Sequence, residues 1–355
     1  MMEIKKERGA VYCNGKAWEL FDNQVKELKP TKVFILTDQN TTAQCLPYFL
    51  KVAKIDNFEH IEMTAGEAHK NIATCVTIWE TLSEKGADRN SLLINLGGGV
   101  VTDLGGFVAC TFKRGIEFIN IPTSLLAMVD ASVGGKNGVD LGFLKNQVGV
   151  IKNAKQVIID TQFLKTLPSE HSTSGYAEML KHGIISSETY YNDLKKFDEN
   201  NFEATATLIW ESVMIKNKIV TEDPLEKGLR KTLNYGHTLG HAVESYLLDT
   251  KGTTPLLHGN AVAIGIILAT YISSELLDFP KQKLTEVTKV INSRYEKVAF
   301  SKKDIDSIID LLIYDKKNND GKVLFVLLRD FAKHKTNCEV PNSLIYKAFE
   351  YYKNS

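Results

Sequence analysis

Two histidines, His237 and His241, stand four residues apart in the segment NYGHTLGHAVE. On a helix that spacing puts both imidazoles on one face, where they can turn into one cavity and share a metal ion. A third histidine, His258, opens the segment LLHGNA, and Glu178 in GYAEMLK offers a carboxylate. Imidazole and carboxylate together suit zinc or a similar divalent ion, which takes about three protein ligands when it is catalytic and keeps one position open. Four residues compete for those places. Spacing alone pairs His237 with His241, and the competing reading is that helix histidines only satisfy buried polar groups.

Basic residues recur in unusual company. Arg114 precedes Gly115, Lys136 follows two glycines, Lys145 adjoins Asn146, Lys181 comes three residues after Glu178, Lys216 lies in a helical stretch, and Arg230 stands four before Asn234. Taken singly, such a side chain is usually a solvated surface group. Converging, they suit a small polyanion carrying a carboxylate and a phosphate, with arginine giving planar two-point contacts and lysine a point charge.

A third chemical signal is glycine-rich. A strand-like run ending at Leu96 leads into Gly97, Gly98 and Gly99, then Val100, Val101, Thr102 and Asp103, and a helical stretch with Gly105 and Gly106. Glycines there let backbone amides approach a pyrophosphate, and the helix that follows turns its positive end to the anion. The run lacks the GxGxxG fingerprint, so a plain strand-to-helix turn explains it equally. Asp38, at the end of another strand, could bind ribose hydroxyls or form a turn. Glu67 and Lys70 in AGEAHKN precede a helix and, taken alone, read as its cap.

The elements that must position these groups change character along the chain. β-Branched runs begin at Lys32 (KVFILT), Ser91 (SLLINL), Glu117 (EFINIP) and Gln156 (QVIID), interleaved with amphipathic stretches such as Ile72 to Lys85. That alternation predicts a parallel sheet wrapped by helices. After Pro168 helical spacing dominates: Thr173 to Ile185, Phe202 to Val220, Leu239 to Leu248, Ala261 to Leu277 and Leu284 to Ile291. GKVLFVLL from Gly321 with KTNCEV reads as a short hairpin added to the helices.

Composition bounds the function. With 355 residues, 43% of them hydrophobic, the chain exceeds what one core usually organises, so two domains are expected, at 1–167 and 168–355. Forty-three basic residues balance forty-three acidic ones, which removes the global attraction of a nucleic-acid or membrane-surface binder. Five scattered cysteines form no CxxC pair, consistent with reduced thiols in the cytoplasm. The start, MMEIKKERGAVYCNG, has no apolar signal core, and the most apolar helix, Ala261 to Leu277, is interrupted by Gly265, Tyr271 and paired serines, so it is expected in a core and not in a membrane.

The blocks GGGVVTDLGGFVACTFKRGIEFINIPTSLLAMVDASVGGKNGVD, LKNQVG, GYAEMLKHG, KGLRKTLNYGHTLGHAVE, LLHGNAVAIG and DKKNNDGKVLFVL, in this order and spacing, resemble the 3-dehydroquinate synthase family of sugar phosphate cyclases, from about Asp38 to Leu328. The resemblance implies an N-terminal Rossmann-like domain, a mainly helical C-terminal domain and an active site in the cleft between them. It makes Glu178, His237 and His258 the metal ligands and moves His241 to the substrate pocket, against the pairing from spacing. Substrate contacts are implied for Asp130, Lys136, Asn146, Lys181, Lys216, Arg230, Asn234 and His241, with Lys316 or Lys317. Arg114 matches a residue that reaches into a neighbouring subunit, which implies a homodimer. For NAD the matching positions are Asp38, Glu67, Lys70, Gly98, Gly99, Val100, Asp103, Thr123, Ser124, Lys145, Phe163 and Thr166. Ser124 and Asn137 stand where threonine is usual, and Asn260 where an acid is common, which leaves a contact behind the metal open.

The activity so implied uses NAD and zinc or cobalt on a sugar-acid phosphate: a ring carbinol is oxidised, phosphate leaves, the ketone is reduced, the ring opens and an aldol step closes a carbocycle. A cyclase for another sugar phosphate, of the 2-deoxy-scyllo-inosose or valiolone type, is one alternative. Arg230 argues against it, because it suits a carboxylate that neutral sugar phosphates lack. A metal-dependent polyol dehydrogenase is the other, and the cationic cluster would then have no anionic partner.

Overall fold

The computed structural model describes residues 2–4, 9–142, 144–198, 201–250, 255–312 and 323–355, so Lys316 and Lys317 lie outside the described residues. The chain forms two compact units, one of Met1–Ser172 with Glu199–Val213, the other of Thr173–Asp198 with Met214–Ser355.

The first unit is built on a seven-stranded sheet. Its strands are Met2–Ile4 (β1), Ala10–Cys13 (β2), Val33–Asp38 (β3), Glu59–Met63 (β4), Leu92–Gly97 (β5), Glu117–Pro122 (β6) and Gln156–Ile159 (β9), in the order β1-β2-β9-β6-β5-β3-β4. Lys136–Leu141 (β7) and Leu144–Ile151 (β8) form a separate antiparallel hairpin. All six residues of β5 are buried, as a strand covered on both faces requires. The sheet departs from the expected all-parallel form at one edge, where β1 pairs antiparallel with β2. The helices of this part are Ala17–Leu28 (α1), Gln39–Gln44 (α2), Leu46–Val52 (α3), Ile72–Glu84 (α4) and Gly99–Thr111 (α5).

The strand order reverses at β3. From β3 the chain moves outward to β4, then returns to β5 on the other side and continues to β6. Loops leaving β3 and β5 therefore diverge at their C-terminal ends, which opens the crevice where such sheets bind ligands. Asp38 ends β3 and Gly97 ends β5.

The second unit is helical: Ser169–Ser186 (α6), Glu188–Leu194 (α7), Phe202–Glu222 (α8), His237–Asp249 (α9), His258–Leu277 (α10), Lys281–Asn292 (α11), Lys302–Leu311 (α12) and Asn342–Asn354 (α13). The first residues of α6, and α8 as far as Val213, group with the sheet unit. The expected hairpin is present as Leu324–Asp330 (β10) against Lys333–Glu339 (β11). α10 has the length and hydropathy of a membrane span, yet 78% of its apolar window is buried inside the protein, as a core helix requires.

Glycines let the histidine-bearing helices meet. A Cβ on Gly265 of α10 would lie 2.0 Å from the Gly236 carbonyl oxygen at the start of α9, and one on Gly259 would lie 1.8 Å from the Ser174 oxygen of α6. Backbone packed that closely holds the start of α10 against α6 and, through Gly265, against the start of α9.

Candidate active site

Glu178 of α6 is fully buried, and its carboxylate is the point on which the histidines converge. Its Oε1 lies 3.2 Å from His237 Nε2 and 3.6 Å from His258 Nε2, and Lys181, one turn on, pairs with Oε2. Two ligands at about 2.0–2.1 Å around a tetrahedral zinc stand roughly 3.3 Å apart, so these separations fit one ion. His237 Nδ1 faces the Tyr235 carbonyl at 3.2 Å, and a carbonyl only accepts, so Nδ1 carries the proton and Nε2 keeps its lone pair for a metal. His258 Nδ1 meets Glu244 Oε2 at 3.0 Å, the carboxylate–histidine arrangement that orients metal ligands. Neither Glu178 oxygen receives a well-formed hydrogen bond, an expensive condition for a buried carboxylate that a cation would relieve.

The electrostatics agree with the geometry. Burial works against the Glu178 charge, yet Lys181 and His237 hold its carboxyl well below the usual carboxylate range. His237, desolvated and near Lys181, is pushed down to about 4. Partial burial opposes a charge on His258, but Glu244 and Glu178 outweigh it and push the imidazole up to about 10. In the metal-free protein, then, a proton on His258 stands where a cation would.

His241 belongs to the same group. Its ring centre is 5.1 Å from that of His237 and 5.5 Å from that of His258, and one nitrogen from each of the three rings lies within 4.8 Å of the others. The structure therefore brings all four candidates from the sequence together.

Three of the predicted cationic residues are buried: Lys181, Lys216 and Arg230 are 1%, 7% and 2% exposed. Arg230 and Asn234 sit on one loop whose shape comes from Asp223. That carboxylate accepts the backbone N–H groups of Lys227, Gly228 and Arg230 at 3.0, 2.6 and 3.0 Å. Asn234 donates to Glu226 Oε1 at 2.6 Å, and Arg230 Nη1 to the Pro224 carbonyl at 2.9 Å. Asp223, Glu226 and Glu244 were absent from the sequence-based set. Glu244 had a legible signal, since it follows His237 by seven residues, two helical turns along the same face.

In the sheet unit the residues matched to NAD, apart from Lys145 on the β7–β8 hairpin, fall at the C-terminal ends of parallel strands: Asp38 on β3, Glu67 and Lys70 after β4, Gly98 to Asp103 after β5, Thr123 and Ser124 after β6, Phe163 and Thr166 after β9. The first turn of α5 starts at Gly98 with no side-chain cap, which leaves backbone N–H groups for an anion. A Cβ on Gly98 would come 3.3 Å from Ser124 Oγ, and one on Gly99 3.3 Å from Ala131 Cβ, so side chains there would crowd the place a pyrophosphate needs. These residues fit a dinucleotide.

Some individual readings change. Asp38 is an N-cap of α2, its Oδ1 accepting from Thr41 N at 2.8 Å, so the turn-forming role is real whatever its second oxygen binds. Glu67 and Lys70 do not cap α4, because Asn71 does. Lys70 is buried instead, paired with Asp103 at 2.6 Å and donating to Asn146 Oδ1 at 2.7 Å, while Lys145 pairs with Glu67. The Phe163 ring packs against Trp18 and Tyr48 in an aromatic core, so its side chain is committed to packing. Asp130 lies in a single π-helical turn, Ala127–Ala131, a feature frequent at functional sites. Lys136 and Arg114 are exposed, and Lys113 and Arg114 both adopt left-handed backbone (φ 48° and 71°), an uncommon conformation that turns the chain sharply before Gly115.

A glycine-started helix at the switch point of a parallel sheet, with a buried carboxylate–histidine cluster on packed helices, defines a class of two-domain enzymes that use a nucleotide and a metal ion. Models of the 3-dehydroquinate synthase N-terminal and C-terminal regions match residues 60–174 and 175–318, and a 3-dehydroquinate synthase of Parabacteroides distasonis is 43% identical over 351 residues, 98% of this chain and 99% of that one. The chain belongs to the 3-dehydroquinate synthase family. Among solved structures it resembles a 2-deoxy-scyllo-inosose synthase complexed with carbaglucose-6-phosphate, NAD+ and Co2+ (25% identity, 96% of each chain, TM-score 0.80). It also resembles the 2-epi-5-epi-valiolone synthase ValA of Streptomyces hygroscopicus subsp. jinggangensis with NAD+ and Zn2+ bound (22% identity, 99% of this chain and 98% of that one, TM-score 0.84).

Proposed function

We propose that this chain is an NAD- and metal-dependent lyase that converts 3-deoxy-D-arabino-heptulosonate 7-phosphate to 3-dehydroquinate and phosphate, in the shikimate route to aromatic amino acids, and that it works in the cytoplasm as a homodimer. The observation that carries the reading is the convergence of His237 and His258 on buried Glu178, beside the buried cation Lys181. The cofactors are supported by the cyclase structures with NAD+ and Co2+ or Zn2+. When bound, a zinc or cobalt ion held by Glu178, His237 and His258 would polarise a ring hydroxyl, while NAD takes up a hydride and later returns it.

The remaining work falls to the chain's own side chains. Lys181, Lys216 and Arg230 are buried cations whose charge suits a substrate carboxylate and phosphate. Arg230 takes the carboxylate, and Glu226 orients Asn234 toward substrate. Asp130, Lys136 and Asn146 have the same substrate-binding role, with Lys316 or Lys317. Proton removal beside the oxidised carbon falls to the substrate's own phosphate, so these residues act by positioning. His241 holds and passes a proton among the ring hydroxyls.

The test is phosphate release from the heptulosonate phosphate with NAD and zinc or cobalt, while absorbance reports NADH. Metal-dependent release without net NADH is expected, and Glu178→Ala abolishes it. Stoichiometric NADH would instead make the chain a dehydrogenase, and no release would turn the search to other sugar phosphates.

A further inference from the structure

The β7–β8 hairpin contains a bulge that no sequence signal announced. Pairing runs regularly from Lys136↔Ile151 to Val139↔Val148, then resumes at Leu141↔Leu144. Asp140 alone therefore faces Lys145, Asn146 and Gln147 across the hairpin. Bulges re-aim side chains, and this one turns out two residues to which different ligands have been assigned. Asn146 takes a left-handed backbone (φ 51°), tolerable for asparagine but held only where its surroundings insist.

Asp140 supplies that hold. Its Oδ1 accepts the Asn146 backbone N–H at 2.6 Å, in place of a ladder hydrogen bond, and its Oδ2 lies 3.8 Å from Lys145 Nζ. Its own backbone N–H donates to the Lys70 carbonyl at 2.8 Å, tying the bulge to the segment after β4. Lys70 in turn holds the Asn146 side chain, and Glu67 holds that of Lys145. Asp140 is 7% exposed, so its carboxylate serves these neighbours and not solvent.

We propose that Asp140 is a positioning residue: through the Asn146 backbone and the Lys145 ammonium it fixes the bulge so that Lys145 meets NAD and Asn146 meets the sugar phosphate. This rests on the roles given to Lys145 and Asn146 above. Asp140→Asn keeps an oxygen for the Asn146 N–H and loses the charge beside Lys145, whereas Asp140→Ala loses both. With the full chain, NAD and zinc, Asp140→Ala is expected to raise KM for both NAD and the heptulosonate phosphate by about tenfold, the scale of a hydrogen bond to a charged group. Asp140→Asn is expected to raise KM for NAD while leaving KM for the phosphate within about twofold of wild type, because the acceptor survives. Unchanged KM values in both variants, with only a lower melting temperature, would make Asp140 merely structural and overturn the proposal. Lys145→Ala and Asn146→Ala separate the two readings. If they leave NAD and sugar-phosphate kinetics untouched, the assigned roles fall; if they impair them while the Asp140 variants do not, only the proposal falls.

Discussion

At the scale of single residues, the metal cluster depends on what stands behind the ligands. The sequence left this open at Asn260, where an acid is common. Asn260 Oδ1 proves to be buried without a hydrogen-bond partner, and the acid behind His258 is Glu244. Glu244→Gln should lower zinc affinity by about 10–100-fold, read by competition with a chelator. Unchanged affinity would mean that His258 is oriented by packing alone. A second expectation concerns protons. In the metal-free protein His258 titrates at about 10, His237 at about 4, and Glu178 well below the usual carboxylate range. Between pH 7 and 8 only His258 of the three still holds its titratable proton, so metal uptake must displace about one proton, and apparent affinity should rise about tenfold per pH unit until the pH nears 10. Calorimetry in buffers of different ionisation heat counts the proton, and a count near zero would show His258 already neutral. The candidate histidines stood out in the sequence because histidine is rare, eight in the chain, and His237, His241 and His258 lie close in number. Spacing alone could not choose between His241 and Glu178, because it says which residues share a face and nothing about a carboxylate on another helix; the family resemblance is what favoured Glu178.

At the scale of elements, the ligand distances are set by helices packed backbone to backbone. Gly259 follows His258 and rests on Ser174 of the helix that carries Glu178, with its N–H donating to Ser174 Oγ at 3.0 Å. The clash of an added Cβ is with a main-chain oxygen, which no rotamer change relieves. Gly259→Ala should therefore destabilise the protein by about 3 kcal/mol or more and displace His258. Denaturant midpoint and bound metal should fall together, and a full metal content after purification would count against this coupling. The strands that carry the expected nucleotide residues were legible because a buried parallel sheet writes long β-branched runs. The β7–β8 hairpin was not: its strands mix lysine, asparagine, glycine and aspartate, and its bulge is fixed by Asp140, a contact between residues whose alternation is broken. The antiparallel β1 edge was hidden for a related reason, since three residues of strand leave no periodicity to read.

At the scale of the whole molecule, the change of texture after Pro168 marks where helices take over, while the compact units divide at Ser172 and return 199–213 to the sheet unit. The division falls within α6, so a boundary read from composition alone could not find it. The proposed assembly makes a sharper claim. Arg114 is exposed and lies on a left-handed turn just past the C-terminal end of α5, the opposite end of that helix from Gly98. If it completes the site of a neighbouring subunit, Arg114→Ala and Glu178→Ala destroy different halves of the same catalytic unit. Each variant alone should be nearly inactive. Unfolded together in equal amounts and refolded, half of the dimers carry one of each chain, and one of their two sites has both Glu178 and a partner's Arg114. Activity should then return to about a quarter of wild type, as random pairing in a two-fold dimer dictates. No recovery, in a mixture that sedimentation shows to be dimeric, would mean that Arg114 serves its own chain. A monomer at working concentration would remove the shared site altogether.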